Sequence, residues 1–268
     1  MSTRADRYDA VVSGRRVLSP HLLRLTLDVP GLESSGIADE WVGLVVPGQY
    51  QVRYYTVRAL DGDRLHLDVV VHDAGLVTDW ATGECVGDRV VVTGAQGSFE
   101  PPEGAAWLML VGDLTAMPAM ARIAEATDLP TRVWAEVPDD LTGYLPGSAD
   151  VTWLTPPAEG KSRLAEVVEG IDWPAGDGYF WMAGESAQMR AIRKHLMRER
   201  RLPSTAYDVM GYWRAVAARR PRAVDPGPIW RAGRAAGRSD EEIWAQYDQA
   251  QYDGAQNDEA QYDEARDG

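Results

Sequence analysis

One short stretch of the chain carries side chains that suit a nucleotide-type cofactor. It is the run Arg53-Tyr54-Tyr55-Thr56-Val57-Arg58. An arginine can hold a phosphate through a charge-assisted fork, a ring can lie against a flat cofactor, and a hydroxyl can bond to its edge. The alternating pattern predicts a strand over Gln51–Val57, which puts Arg53 and Tyr55 on one face and Thr56 on the other. An ordinary strand with solvated arginines is the alternative interpretation.

Composition limits what can surround this stretch. The chain has 268 residues, 45% of them hydrophobic, which is enough to bury a sizeable core and to form two modest domains. Cys85 is the only cysteine, which excludes intramolecular disulfides, zinc knuckles and Cys-ligated iron–sulfur clusters. The first residues lack the apolar run of a signal peptide, and no apolar run approaches the length of a membrane span. We therefore expect a reduced, cytoplasmic protein.

Charge is unevenly distributed. The formal net charge is −14, which argues against a nucleic-acid partner. Residues 239–268 hold 10 acidic groups and 1 basic group, Arg266, whereas residues 190–238 hold 13 of the 27 lysines and arginines. The basic segment suits a small anionic ligand better than a polyanion, although solvated helix faces would have the same composition.

Residues 8–104 alternate between strand-like segments and Gly- or Pro-containing turns, which predicts a small antiparallel β-barrel. The predicted strands are Tyr8–Val17, Leu22–Leu27, Trp41–Val46, Gln51–Val57, Arg64–His72 and Arg89–Thr93. After Gly75 a helix is expected to begin, with Thr78 or Asp79 as its cap. Backbone N–H groups at such a point can bind a phosphate.

Beyond Pro101-Pro102 the pattern becomes a β–α alternation, which predicts an open parallel α/β sheet. The predicted strands are Trp107–Val111, Thr131–Val137, Val151–Leu154 and Tyr179–Ala183. One predicted helix follows Ala119 and continues through Thr127, and two more cover Ser162–Glu169 and Ser186–Arg200. Ligands of such sheets bind at the carboxyl ends of the strands, which here are Gly112–Thr115 and Gly184–Ser186. No G-x-G-x-x-G is present, so the spacing alone indicates a nucleotide only weakly.

The last stretch repeats every five residues, as in Ala245-Gln-Tyr-Asp248 and Ala250-Gln-Tyr-Asp253. This period keeps no face on one side of a helix or strand, so we expect a disordered, acidic tail. The predicted domains are therefore 1–104 (barrel), 105–216 (α/β) and 217–268 (arginine-rich segment and tail).

The chain resembles the siderophore-interacting proteins, which are FAD-dependent ferric-siderophore reductases related to the ferredoxin–NADP reductases. Stretches in the family's order carry the resemblance. They are Arg53–Arg58 (R-x-Y-T-x-R), His72–Ala81 (H-G-x-x-G-P-A-S-x-W-A), Gly112–Ala119 (G-D-E-T-A-L-P-A), Ala183–Glu185 (A-G-E) and Gly211–Arg214 (G-Y-W-R).

The resemblance implies a role for each matching residue. Arg53 would pair with the FAD phosphate, Tyr55 would stack on the isoalloxazine, and Thr56 would approach its N5 edge, which makes Tyr55 and Thr56 the implied catalytic residues. The other residues implied in FAD binding are Tyr54, Val57, Arg58, Val71, His72, Gly75, Val77 and Thr78. The residues implied around the nicotinamide of NADPH or NADH are Asp113, Thr115, Ala116, Gly184 and Glu185.

The implied activity is reduction of an Fe(III)-siderophore to Fe(II), with release of the iron in the cytoplasm. Lys194, Arg214 and Arg219 are expected to dock the anionic siderophore, and no protein ligand for iron is predicted. Ferredoxin is an alternative electron donor. Two other functions stay open: a flavin or ferredoxin reductase or redox tailoring enzyme with another acceptor, and a non-catalytic protein that binds flavin or siderophore.

Overall fold

Six antiparallel strands close into a barrel in this computed structural model, which describes residues 6–48, 51–72, 75–157, 162–214, 236 and 238. The strands are β1 (Arg7–Ser19), β2 (Leu22–Asp28), β3 (Trp41–Val45), β4 (Arg53–Asp61), β5 (Arg64–Val70) and β6 (Arg89–Thr93). Their order is β1-β2-β5-β4-β3-β6, and pairing of β1 with β6 closes the barrel. The predicted antiparallel barrel is confirmed.

The barrel core follows from alternation along the strands, since every second side chain points inward. Leu25 and Leu27 of β2 and Leu65 and Leu67 of β5 have no exposed surface. Because β2 pairs with β5, these leucines lie side by side in the core. The same alternation determines which face of β4, the strand that carries Arg53–Arg58, points toward the barrel interior.

Strand β4 contains an irregularity that the sequence pattern does not indicate. Its pairing with β5 shifts register between Val57 and Ala59, so Arg58 is the extra residue of a β-bulge. A bulge bends its strand and redirects the side chain of the inserted residue. The strand then continues to Asp61 instead of ending at the predicted Val57.

Five parallel strands form the second layer of the molecule. They are β7 (Leu108–Asp113), β8 (Thr131–Glu136), β9 (Asp150–Leu154), β10 (Tyr179–Glu185) and β11 (Tyr207–Trp213), in the order β11-β10-β7-β8-β9. All their pairings are parallel, which confirms the predicted open sheet. Strand β11 was not among the predicted strands.

Helices flank this sheet on both faces. They are α2 (Met117–Glu125), α3 (Leu164–Gly170) and α4 (Ser186–Lys194), whereas α1 (Leu76–Thr82) belongs to the barrel region. Leu108 and Leu110 of β7 pack with α2, and Met109 and Val111 pack with α3 and α4. β7 is therefore buried on both faces, as its continuous apolar run predicts. A π-helical turn, His195–Glu199, continues α4.

Barrel and sheet belong to the same compact unit, Met1–Ala215. Buried polar contacts join them, including those of Asp39, which accepts hydrogen bonds from the Ser98 and Phe99 backbones and from the Trp181 indole at 2.8, 2.9 and 3.3 Å. Apart from residues 236 and 238, the second unit, Val216–Gly268, lies outside the described residues, and so does the whole of the predicted acidic tail. The domain boundary at 104/105 stays a prediction.

Candidate functional site

A cavity of about 1060 Å³ lies between the barrel and the carboxyl ends of the sheet strands. Three walls enclose it: β4, the region of α1, and a wall on the sheet side formed by the start of α2, α4 and the end of β11. Cofactor sites of α/β proteins occupy this edge of the sheet, where helix starts and strand ends present backbone groups. The cavity is the candidate functional site.

The β4 wall carries the residues that first suggested a cofactor. Arg53, Tyr54, Tyr55 and Thr56 all line the cavity. Arg53 is exposed, and among the described residues its guanidinium bonds only to Gln51 Oε1 at 3.0 Å and to the Val52 carbonyl at 3.5 Å. A cation held this loosely remains accessible to an anionic group that enters the cavity.

Tyr55 is half-buried and packs against the barrel core. Burial raises the pKa of its hydroxyl to about 12, although the positive charge of Arg53 opposes the shift. The phenol therefore stays neutral at physiological pH and presents a ring and a hydrogen-bond donor. Thr56, next along the strand, is buried at 6% exposure and lines the same cavity.

The second wall is built around the start of α1. His72, Gly75, Leu76, Val77 and Thr78 line it. The helix begins at Leu76, with Gly75 before it at a φ of 157°, a conformation that favours glycine. The Thr78 hydroxyl does not cap the helix: it donates to the Val70 carbonyl and accepts from the His72 amide, both at 3.5 Å. Thr78 thus ties α1 to the end of β5.

The third wall comes from the parallel sheet. Thr115 and Pro118, at the start of α2, line the cavity together with residues of α4 and β11. These are Arg193, Met210, Gly211, Tyr212, Trp213 and Arg214. The wall brings two further arginines into the site, so that cations stand on opposite sides of the cavity.

Asp113 organises the floor beneath this wall. Its carboxylate accepts hydrogen bonds from the Thr115 amide at 2.9 Å, the Thr115 hydroxyl at 2.5 Å, the Glu185 amide at 3.1 Å and the Trp213 indole at 2.6 Å. Gly184 makes this approach feasible, since a Cβ there would lie 2.6 Å from the carboxylate. Burial raises the pKa of Asp113, and the hydrogen bonds of Thr115, Trp213 and Glu185 oppose that shift.

Tyr212 contributes a buried hydroxyl to the cavity. Among the described residues, none forms a well-aligned hydrogen bond with this oxygen, although Thr56 is a polar neighbour. Burial raises the pKa of the phenol, so it too stays protonated. A buried donor without a partner is costly and is commonly satisfied by a bound molecule. The ring meets Trp181 edge-on, with centroids 6.4 Å apart.

The structure brings most of the predicted cofactor residues to this one cavity. Those that line it are Arg53, Tyr54, Tyr55, Thr56, His72, Gly75, Val77, Thr78 and Thr115. Asp113, Ala116, Gly184 and Glu185 lie just behind the third wall, around the Asp113 carboxylate and the start of α2.

Other predicted residues lie elsewhere. Val57 is fully buried in the barrel core, and Val71 packs against that core. Arg58 is turned toward α2, where it pairs with Glu125. These three do not line the cavity.

Of the predicted docking residues, Arg214 lines the cavity. Lys194 is exposed at the end of α4 and does not line it, and Arg219 lies outside the described residues.

Several lining residues were not predicted from the sequence. They are Trp41, Val52, Asp68, Val70, Leu76, Pro118, Arg193, Met210, Gly211, Tyr212 and Trp213. The motif Gly211-Tyr-Trp-Arg214 indicates that its tyrosine and tryptophan line a site, because two large aromatic residues beside a glycine at a strand end suit the wall of a binding cavity. Nothing in the local sequence marks Asp68, whose place depends on the pairing of β5 with β2.

These residues fit FAD. The cavity has the volume of a cofactor site and offers an aromatic ring, flanking hydroxyls, cations for a pyrophosphate and a buried phenol in need of a partner. Arg53 and the backbone near Gly75 would hold the phosphates, and Tyr55 and Thr56 would hold the ring system. Among the described residues no group of three or more His, Cys, Asp or Glu side chains could hold a metal ion.

In the described part of the chain, no helix is both long and apolar enough to cross a membrane.

The fold is similar to that of the ferredoxin reductase in carbazole 1,9a-dioxygenase, which superposes with a TM-score of 0.65 at 16% identity over 79% of this chain and 70% of that chain. Residues 47–99 match the siderophore-interacting FAD-binding domain, and residues 105–216 match the siderophore-interacting protein model. The chain belongs to the siderophore-interacting protein family, and FAD is its cofactor.

Individual relatives agree with this assignment. The ferric vibriobactin reductase ViuB of Vibrio cholerae is 29% identical over 180 residues, 63% of this chain and 65% of that protein. The crystal structure of a siderophore utilization protein from T. fusca superposes with a TM-score of 0.67 at 29% identity, over 80% of this chain and 95% of that chain.

Proposed function

We propose that the protein reduces ferric siderophores to the ferrous state with NAD(P)H as electron donor, and that the iron is released in the cytoplasm. The observation that supports this most is the shared cavity: the flavin-type side chains of β4 and the nucleotide-type end of the sheet open into one space. The similarity to ViuB supports a ferric siderophore as the acceptor.

The overall reaction balances without further reagents. One NADPH gives up a hydride and reduces two ferric ions, leaving NADP⁺, two ferrous ions and a proton. Flavins can accept an electron pair and pass it on singly, which connects a hydride donor to a one-electron acceptor. Hard oxygen donors such as catecholates and hydroxamates prefer Fe(III), so reduction loosens the metal.

The chain's own residues have four tasks in this reaction. Arg53 binds phosphate, and Tyr55 and Thr56 orient the ring system, with Tyr54, His72, Gly75, Val77 and Thr78 lining the rest of the cofactor's length. Thr115, held by Asp113, orients the nicotinamide beside it. Burial around Thr56 and Tyr212 excludes water from this contact.

The siderophore is proposed to dock on cations at the mouth of the cavity. Arg214 lines that cavity, and Lys194 is exposed at the end of α4; Arg219 is the third candidate. A triple alanine variant of Lys194, Arg214 and Arg219 is expected to weaken binding of an anionic ferric siderophore while leaving FAD binding unchanged. Unchanged siderophore affinity would remove this part of the proposal.

The direct test is an anaerobic absorbance titration. Purified protein receives FAD, then NADPH or NADH, and finally a ferric siderophore with a ferrous chelator. We expect the bound flavin band to bleach with the pyridine nucleotide and to recover as the Fe(II) complex appears. Failure of the ferric siderophore to restore the band would favour another acceptor, such as free flavin. No bleaching with either nucleotide would favour ferredoxin as donor, and no flavin binding would leave a non-catalytic protein.

A further inference from the structure

Helix α2 spans the distance between two walls of the cavity. At its start, Thr115 and Pro118 line the same cavity as Tyr55 and Thr56 of β4. At its other end, the last turn of the same helix is bonded directly to β4. α2 runs from Met117 to Glu125, and at 1.5 Å per residue it is about 13 Å long. One rigid element therefore determines how the proposed nicotinamide wall stands relative to the flavin wall.

The first contact of the last turn is an ion pair. Glu125 accepts two parallel hydrogen bonds from Arg58, at 2.6 and 2.9 Å. Such a fork fixes both distance and orientation, unlike a single charge contact. The Arg58 guanidinium also lies 5.6 Å from the centroid of the Tyr144 ring, and its side chain is only 15% exposed. Its direction follows from the bulge in β4, which turns this inserted residue away from the cavity.

The second contact involves Arg122, one turn earlier on α2. Its guanidinium donates to the Val57 carbonyl at 2.8 Å, at the same bulge, and pairs with Glu40 at 3.0 Å. The Glu40 side chain is fully buried and also accepts hydrogen bonds from Ser34 and Ser35. Arg122 is thus held from two sides and contacts the residue directly after Thr56.

We propose that Arg58, Glu125 and Arg122 form a clamp that sets the separation between the nicotinamide and flavin sites. This inference depends on the proposed function, because it concerns the transfer between those two sites. In this arrangement Arg58 is a positioning residue, and it does not bind the cofactor as its place in the motif suggests. Transfer of a hydride depends steeply on distance, so small displacements of Thr115 and Pro118 against Tyr55 reduce its rate.

The test variant is Glu125→Ala, because this carboxylate is 43% exposed and its removal leaves the barrel core intact. The matched control is Glu166→Ala, which removes another helical carboxylate that pairs with an arginine, Arg163, at 3.0 Å. Glu166 lies on α3 and does not line the cavity. Arg122→Met is avoided because it would leave the buried Glu40 charge unpaired.

Three measurements separate positioning from binding: two bleaching rates of the FAD-loaded protein and the FAD dissociation constant. With saturating NADPH, the bleaching rate of the Glu125→Ala variant is expected to fall about 10- to 100-fold, as expected for misplacement by ~1 Å. The FAD dissociation constant and the bleaching rate with dithionite, which needs no nicotinamide site, are expected to match wild type. Glu166→Ala should resemble wild type in all three.

A charge exchange gives an independent check that does not depend on activity. Arg58→Glu and Glu125→Arg should each lower the urea midpoint of the FAD-loaded protein. The double variant should recover part of that loss and part of the bleaching rate, because the pair is restored in reverse.

The outcomes are distinct. An unchanged NADPH bleaching rate in Glu125→Ala, with wild type active, overturns the clamp alone. A large rise in the FAD dissociation constant for Arg58→Glu that the double variant does not reverse would make Arg58 a cofactor ligand and also overturn it. Absence of bleaching in wild type with either nucleotide would instead reject the proposed function, and with it the hydride-transfer role of the clamp.

Discussion

The indole nitrogen of Trp213 donates a 2.6 Å hydrogen bond to the carboxylate of Asp113. The bond reaches across the sheet, because β10 lies between the strands that carry the two residues. It connects the last described strand to the loop that positions Thr115. Residues of the Gly211–Arg214 motif therefore act on the proposed nicotinamide site through Asp113 as well as by lining the cavity.

Replacement of Trp213 by phenylalanine tests this connection. Trp213→Phe keeps a ring but removes the N–H, so the buried carboxylate loses a donor, at a cost of about 1–3 kcal/mol in the free energy of unfolding. Urea unfolding measures the loss. Trp153→Phe is the control, because Trp153 is 40% exposed on the edge strand β9 and should change stability little. If Trp213→Phe and Trp153→Phe lower the free energy of unfolding equally, the hydrogen bond from Trp213 to Asp113 does not contribute specifically to stability.

Gly184 gives a second test of the same floor. An alanine Cβ there would lie 2.6 Å from Asp113 Oδ2, and the φ of 154° is strained for any residue with a side chain. We expect Gly184→Ala to cost about 1–3 kcal/mol and to raise the KM for NADPH, as the carboxylate must move away from Thr115. Gly147→Ala is the matched control, since its Cβ would meet nothing within 4 Å. If Gly184→Ala changes neither the free energy of unfolding nor the KM for NADPH, the loop adjusts freely to the added methyl group.

The lowered pKa of Glu40 predicts how the stability of the protein changes as the pH falls. Burial alone would raise its pKa, but hydrogen bonds from Ser35 and Ser34 and the charge of Arg122 outweigh burial and hold the pKa below its ordinary value. As pH falls, the unfolded chain is protonated at Glu40 first, so this contribution to stability is present above the ordinary glutamate pKa and is lost as pH falls through the folded value.

Over the range from neutral pH into acid, Glu40→Gln should therefore flatten the stability curve only below about the ordinary glutamate pKa of 4.5. It should also destabilise the protein at neutral pH by about 3 kcal/mol, because Arg122 loses its buried partner. Urea midpoints across this range measure both effects. Glu166→Gln, which changes an exposed carboxylate, is the control. If the stability of Glu40→Gln falls as steeply with decreasing pH as that of wild type, other carboxylates dominate the acid dependence.

Much of the fold is predictable because the barrel and sheet depend on local hydrophobic patterns. The alternation in β2 and β5 and the continuous apolar run of β7 each identify their strands. The predicted cap of α1, Thr78 or Asp79, lies three or four residues after the observed cap, Gly75, because the Thr78 hydroxyl looks like a cap but bonds to β5 instead. Local propensity does not show which of two nearby partners a hydroxyl will choose.

The motif predicts the site better than the strand period does. Arg53, Tyr54, Tyr55 and Thr56 all line the cavity, although a regular strand would place Tyr54 and Thr56 on the other face from Arg53 and Tyr55. Arg58 does not line the cavity: it is the inserted residue of the bulge, which depends on the pairing of β4 with β5, and it pairs with Glu125. Asp68 and Tyr212 enter the site from segments far apart in sequence, so only the tertiary structure brings them together.

Arg53 provides the most direct test of cofactor binding. Because its guanidinium is exposed and its partners in the described part of the chain are the neighbouring residues Gln51 and Val52, Arg53→Ala should leave the stability of the protein unchanged within about 0.5 kcal/mol, as is usual for surface positions. Loss of a charge-assisted contact with phosphate should weaken FAD binding about 10- to 100-fold, corresponding to ~1.5–3 kcal/mol. Fluorescence titration of the apoprotein with FAD measures the change.

Arg89→Ala, at an exposed arginine of β6 that does not line the cavity, is the control. If Arg53→Ala and Arg89→Ala bind FAD equally well, the phosphates are held elsewhere, and Arg193 and Arg214 on the opposite wall become the residues to replace next.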